Sequence, residues 1–423
     1  MLKKTRIALV SDLHIGREAI STDLCPHELD GSDIVGMETN FLQKFRALVT
    51  SPELINEGEI DYLCVTGDIS DRADPKEFAH AHIVISQLAD SLSVPESRVF
   101  FVPGNHDVHW PVMNLEPKDF WDRFRYEPLL QNDLLFKKQL ANAESGDFHQ
   151  VPHFVAWRTD SNIIIGINSA AFDDPKPDDG KHHGLIHSKT LSELELFLET
   201  LPYDPTALRV CLVHHHPLNY SDSQPDLADF SAAINAQNLL NLLSKHKFDL
   251  LLHGHKHVAQ LTHYGSTNNG HPVTVLGAGS LSAQLSSRWC GLAQNQFHII
   301  EVTERDSKTH AAIGHVSTWN FVNRTWREGQ HDYGLCAKEG FGTLSTAAEL
   351  EYQIAVKLDE ILKIKDVCRW ADLESAIPSL KYVNTKAAYN AIDRIARDRG
   401  VEFVGDLNAK KQKWIVLNDT EER

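Results

Sequence analysis

Apolar residues along the first 303 positions come in short unbroken runs. Five of these stop abruptly at a polar cluster: IALVS (7–11), DYLCVT (61–66), RVFFVP (98–103), RVCLV (209–213) and FDLLL (248–252). Such runs, bounded by turn signals, predict buried strands. Three later runs, NIIIGIN (162–168), HPVTVLG (271–277) and FHIIEVT (297–303), read the same way. Between the runs, apolar positions at helical spacing predict helices over 37–50, 76–92, 188–200 and 233–246. The alternation in the first half predicts an α/β arrangement, with helices packed on a sheet. Helices thin out later, which predicts a mixed sheet or a second sheet.

Two insertions interrupt this pattern. Residues 108–150 carry an aromatic and charged segment at 110–126 and read as a helical excursion, while the polar stretch 172–184 reads as an exposed loop. Past the last long run, 318–330 predicts a hairpin and 340–346 (GFGTLST) a linker. Helices at 347–363, 369–380 and 385–399 follow, then VEFVGDL and KQKWIVLN as a hairpin. Helix, helix, helix, hairpin is the order of a winged-helix-like α+β module. The expected division is a catalytic domain at 1–335 and this small domain at 346–423.

Composition and charge sharpen the picture. With 42% hydrophobic and 23% charged residues in a chain of 423, a large folded core is expected. A formal net charge of −17 argues against general attraction to nucleic acid or anionic membrane. Residues 381–413 run the other way, with eight Lys/Arg against four acids, and leave nucleic-acid binding open there. The small module also leaves a protein partner open. The six cysteines include no C-x-x-C pair, which excludes a zinc knuckle or disulfide framework as the organising principle. No apolar stretch approaches membrane-spanning length, and the N-terminal run meets Asp12 too early for a signal peptide, so a cytoplasmic protein is expected.

The polar clusters carry the candidate chemistry. In order they are Asp12-Leu13-His14, Gly67-Asp68-Ile69-Ser70-Asp71, Gly104-Asn105-His106-Asp107, His214-His215-His216-Pro217 and Gly254-His255-Lys256-His257. Strand ends meeting at one sheet edge would gather them into one pocket of carboxylates, imidazoles and an amide. That mixture of oxygen and nitrogen donors suits Mn, Fe, Zn or a similar divalent ion. Asp68 is placed to reach two ions with its two oxygens, and Asn105 offers a neutral oxygen. His215, His255 and His257 would complete the coordination. His106 faces the same pocket as a candidate proton donor, with the Asp71 carboxylate as the group that would hold its other ring nitrogen. Arg17, His109, His182 and His183 lie in predicted mouth loops.

These blocks resemble the calcineurin-like metallophosphoesterase superfamily, whose order is D-x-H, G-D-x-x-D, G-N-H-D/E, H and G-H-x-H. The resemblance covers residues 5–260. It implies an αββα sandwich metallophosphoesterase fold with two metal ions at the strand ends. Asp12, His14, Asp68 and His257 would hold one ion, and Asp68, Asn105, His215 and His255 the other. His106 would be the acid and Asp71 its support. A hydroxide bridging the two ions would attack phosphorus. In relatives of the cyclic-nucleotide phosphodiesterase type the ligand precedes the proline by two positions, which selects His215 and leaves His214 and His216 as bystanders. GDISD, HHHPL and GHKH are similar to that branch, and GDISDRA with GNHD departs from the protein-phosphatase branch. The implied activity is a phosphodiesterase acting on a nucleotide or other small phosphoester. DLHIG also resembles the first motif of SbcD-type nucleases, so a nuclease working with a partner or through the C-terminal module is the alternative. A regulatory protein whose output is that module is the third reading.

Overall fold

The structure is a computed structural model that describes residues 2–26, 39–107, 154–159, 162–170, 183–219, 232–265, 270–285, 293–408 and 410–417. The expected excursion at 108–150, its aromatic segment at 110–126, His109 and His182 lie outside these residues. So does most of the loop expected at 172–184.

All eight apolar runs form strands. The first sheet contains β1 (Thr5–Val10), β2 (Tyr62–Thr66), β3 (Val99–Val102), β10 (Asn295–Arg305), β11 (Ala312–Val322), β12 (Thr325–Glu328) and β13 (Lys338–Phe341). Its order is β12-β11-β10-β1-β2-β3, with β13 also paired to β11. β1, β2 and β3 run parallel, whereas β10 joins β1 antiparallel. The second sheet contains β4 (Phe154–Thr159), β5 (Asn162–Ile167), β6 (Arg209–Val213), β7 (Leu250–His253), β8 (Gln260–Tyr264) and β9 (Val273–Gly277), in the order β4-β5-β6-β7-β9-β8.

The helices of this body are α1 (Phe41–Val49), α2 (Pro52–Asn56), α3 (Pro75–Ser91), α4 (Ser188–Glu199) and α5 (Ala236–Lys245). Why the second sheet's strands are apolar without interruption follows from where successive residues go. Val210, Leu212, Leu250 and Leu252 enter the core shared with the first sheet, while Cys211, Val213 and Leu251 enter a second core with α4 and α5. A strand buried on both faces needs no polar positions. The first sheet does the same: Phe100 meets Trp157 across the sandwich at a centroid distance of 5.2 Å, while Phe297 meets Phe45 of α1 at 4.9 Å. The layers are therefore helix, sheet, sheet, helix. At one end an ion pair pins the two sheets. Arg305 of β10 donates to both oxygens of the buried Asp249, which stands just before β7.

The tail departs from expectation in three places. Gly340 and Phe341, read as linker, belong to β13, because the chain crosses back over β11 before leaving the sheet. Past α6 (Ala347–Leu362), the helix expected at 369–380 is instead a strand residue, α7 (Trp370–Ala376) and a single 3-10 turn at Pro378–Tyr382. Pro378 lacks the N–H that a continuing helix would need. After α8 (Thr385–Arg399), the expected hairpin gains a third partner: β14 (Val367–Arg369), β15 (Glu402–Val404) and β16 (Ile415–Leu417) pair in the order β14-β16-β15. Trp370, Trp414, Leu358 and Ile392 belong to this unit's own core.

Candidate metal centre

The site lies where β1, β2, β3, β6 and β7 end, and the backbone there turns in an unusual way. Asp12, His14, Asp68, His255 and His257 all have positive φ, between 48° and 76°. Side chains rarely adopt this left-handed region, and holding one there costs roughly 1–3 kcal/mol. Main-chain hydrogen bonds enforce it. The Asp12 and His14 N–H groups donate to Gly67 and Asp68 carbonyls, each at 3.0 Å, and so carry the β1–β2 pairing past the strand ends. The His255 N–H lies 3.2 Å from both carboxylate oxygens of Asp12.

Two groups of donors result. Donor atoms of Asp12, His14, Asp68 and His257 lie within 4.8 Å of one another. His14 Nε2 is buried with no hydrogen-bond partner among the described residues, which is what a lone pair reserved for an ion looks like. These four residues fit a divalent cation. Next to them, His255 Nδ1 and His214 Nε2 approach Asn105 Oδ1 at 3.0 and 3.1 Å, and His214 Nε2 is 3.3 Å from Asp68 Oδ2. The His215 ring lies 4.6 Å from the His255 ring, centroid to centroid, and its Nδ1 shares a 2.8 Å hydrogen bond with Ser169.

The three neighbouring histidines do not alternate in and out as strand residues do. Strand β6 ends at Val213, so alternation no longer governs the run. His214 and His215 both face the pocket, and His216 lies against His255, its ring 5.6 Å away and nearly parallel. His214 thus borders the pocket directly. Its Nδ1–H donates to the Thr66 carbonyl at 2.8 Å, which fixes the ring with Nε2 toward Asp68.

His106 sits on a single 3-10 turn, Asn105–Asp107, and its N–H donates to Asp68 Oδ1 at 2.8 Å. The partner of its ring differs from expectation. Nδ1–H donates to the main-chain carbonyl of Asp71 at 2.8 Å, while the Asp71 carboxylate stands 3.4 Å from Arg72 Nε. That carboxylate still has an oxygen within 4.8 Å of the His14 and His106 rings.

Charge states follow from burial and from neighbours. Burial holds His14 and His255 well below the usual imidazole range, helped by His106 and His215 respectively, so both are neutral donors. Burial works against the charged form of Asp68 as well, yet His214 and His106 hold it well below the usual carboxylate range. Burial lowers His214 and His106 too, but Asp68 outweighs it and raises both, His214 to about 9.

Three positioning residues carry no sequence signal of their own strength. Asp107 accepts the N–H groups of Ile69, Ser70 and Gly104 at 3.1, 2.8 and 2.9 Å, which locks the Asp68 loop to the Asn105 turn. Ser280 and Ser282 donate to the carbonyls of Asp12 and Leu13 at 2.7 and 2.8 Å and hold that turn from beneath. Asp107 was within reach as the fourth residue of its cluster. Of the mouth residues, Arg17 is exposed and His183 half-buried. In the basic stretch, Arg394, Arg397, Arg399 and Lys410 are ion-paired with Glu351, Asp393, Asp359 and Glu328.

Residues 5–259 match the family model described as calcineurin-like phosphoesterase. The chain is 24% identical over 253 residues to a probable cyclic nucleotide phosphodiesterase from Coxiella burnetii, covering 60% of this chain and 75% of that protein. It is 26% identical over 189 residues to a 3′,5′-cyclic adenosine monophosphate phosphodiesterase from Vibrio vulnificus, covering 45% of this chain but only 51% of that protein. Among solved structures, a purple acid phosphatase from yellow lupin superimposes with a TM-score of 0.46 at 13% identity, covering 82% of this chain and 58% of that one. Among the described residues, no helix is long and apolar enough to cross a membrane.

Proposed function

Because this chain belongs to the calcineurin-like phosphoesterase family, we propose that it hydrolyses a small phosphodiester of nucleotide type at a two-metal site. The observation that carries this is the convergence of the Asp12, His14, Asp68 and His257 donor atoms, beside the Asn105–His255 pair. Asp12, His14, Asp68 and His257 would hold one ion, and Asp68, Asn105, His215 and His255 the second. Divalent ions bound there would polarise a phosphoryl group and acidify a water.

The chain's own groups do the rest. Asp68 is kept ionised by its imidazole neighbours; its Oδ1 accepts the His106 N–H, and its Oδ2 faces both His14 and His214, where the two sites would meet. His106 holds its proton at Nε2, because Nδ1–H is committed to the Asp71 carbonyl and Asp68 favours the charged ring. It is placed to deliver that proton to a leaving oxygen. His214, positively charged between Asp68 and Asn105, tempers the buried negative charge. The curated relatives named as cyclic nucleotide phosphodiesterases support a cyclic nucleotide as the first substrate to try. Ion pairing of four cations in 381–413 removes much of the ground for nucleic acid.

The deciding experiment strips the protein with chelator, restores Mn, Zn or Fe, and follows hydrolysis of bis-p-nitrophenyl phosphate and 3′,5′-cyclic AMP. Activity should vanish on stripping and return with about two ions per chain. Full activity of metal-free protein, or restoration at one ion, would overturn the two-metal reading.

A further inference from the structure

The proposed chemistry leaves unused a cleft of about 510 Å³ between the first sheet and the C-terminal unit. Its walls come from β11, β12 and β13 on one side, and from α7 and residues 407–408 and 410–412 on the other. Three carboxylates line it among the described residues; two are ion-paired, and the third accepts a neutral N–H. Glu57 holds Arg6 Nη2 at 3.0 Å, Glu328 holds Lys410 Nζ at 2.6 Å, and Glu374 accepts Trp370 Nε1–H at 2.5 Å.

Lys338, Lys381 and Lys411 line the same space, and none has a carboxylate oxygen within 4.0 Å among the described residues. Lys411 Nζ donates to the Val383 carbonyl at 2.7 Å and stands 5.5 Å from the Trp370 ring centroid. The buried Glu339 and, less strongly, the cleft's own Glu374 attract it; Glu339 also accepts the Thr385 N–H. An anion seated among three ammonium groups is attracted to each of them. Lysine is a point-charge binder of phosphate. The volume matches clefts that take small ligands, roughly 300–1,000 Å³.

We propose that this cleft binds a small multiply charged phosphate anion, of the diphosphate class, held by Lys338, Lys381 and Lys411. Since the three lysines come from β13, the turn before α8 and the turn before β16, the bound anion ties the C-terminal unit to the phosphoesterase body. The site is separate from the metal centre and stands or falls without it.

The test is calorimetric titration of the full chain with ADP and with inorganic pyrophosphate, without added metal. Lys338→Gln/Lys381→Gln should weaken binding at least tenfold, while Lys338→Arg/Lys381→Arg retains it. Both lysines are exposed, so the fold tolerates these changes. Lys386→Gln, a lysine outside the cleft, and Asp68→Asn should bind like the parent chain. Absence of saturable binding, indifference to the Gln pair, or loss in Asp68→Asn would each overturn the proposal. So would displacement of both probes by a single-stranded oligonucleotide at far lower concentration, which would make the cleft a nucleic-acid contact.

Discussion

The charge on each ring in the pocket is set by burial and by the charged groups beside it. His106 gives its Nδ1–H to a carbonyl, so its remaining proton is the one available for transfer. Replacing it by alanine should lower turnover about 10²–10⁴-fold while metal content, read by elemental analysis, stays unchanged. Loss of metal instead would make His106 a ligand. His214 and His215 divide differently. His215→Ala should remove about one ion per chain, whereas His214→Gln should leave the ion count unchanged, because His214 holds Asp68 and Asn105 in place and is not itself a ligand. The opposite pattern would move the ligand by one residue. The candidate ligands were legible because only a few side chains bind divalent ions, and five clusters of them stood at strand ends. The Asp71 contact was not. Every residue has a carbonyl, so no residue type marks one that holds a histidine ring.

At the scale of elements, strands were the most readable, since uninterrupted apolar runs suit nothing else in a layered fold. Boundaries set by a single residue were less so. Pro378 ends the helix expected to reach 380, and β13 runs two residues into an expected linker because its pairing partner is remote in sequence. Least visible were the left-handed turns at Asp12, His14, Asp68, His255 and His257, a conformation uncommon for any side chain although Asp and His adopt it more readily than most. Those turns need close packing beneath them. A Cβ on Gly104 would meet Asp68 Oδ1 at 2.2 Å and the Asp68 nitrogen at 2.4 Å. Gly104→Ala should therefore destabilise the fold by roughly 1–3 kcal/mol and cut metal affinity, read by urea unfolding and metal titration. An unchanged metal affinity would mean that the Asp68 loop yields easily.

For the whole molecule, the C-terminal unit meets the body through buried polar groups as well as apolar ones. Glu339 of β13 is the clearest: burial, opposed by Lys411, raises its carboxyl above the ordinary value of 4.5. A raised carboxyl binds its proton more tightly folded than unfolded, so it favours unfolding once pH rises past the ordinary range. Glu339→Gln should match the parent chain below about pH 4.5 and melt higher at pH 8, with the gap opening between those values. A lower melting temperature at pH 8 would show that the attraction of Lys411 dominates instead.

The sandwich is pinned asymmetrically. At one end Arg305 and Asp249 join the sheets with no outside help. At the other, Asp12, His14, Asp68 and Asn105 follow strands of the first sheet, while His214, His215, His255 and His257 follow strands of the second. An ion held there would be a removable rivet through two plates. Its departure rate would then be bound to how often the plates part, so chelators should extract it on the timescale of breathing at that seam rather than of simple ligand exchange.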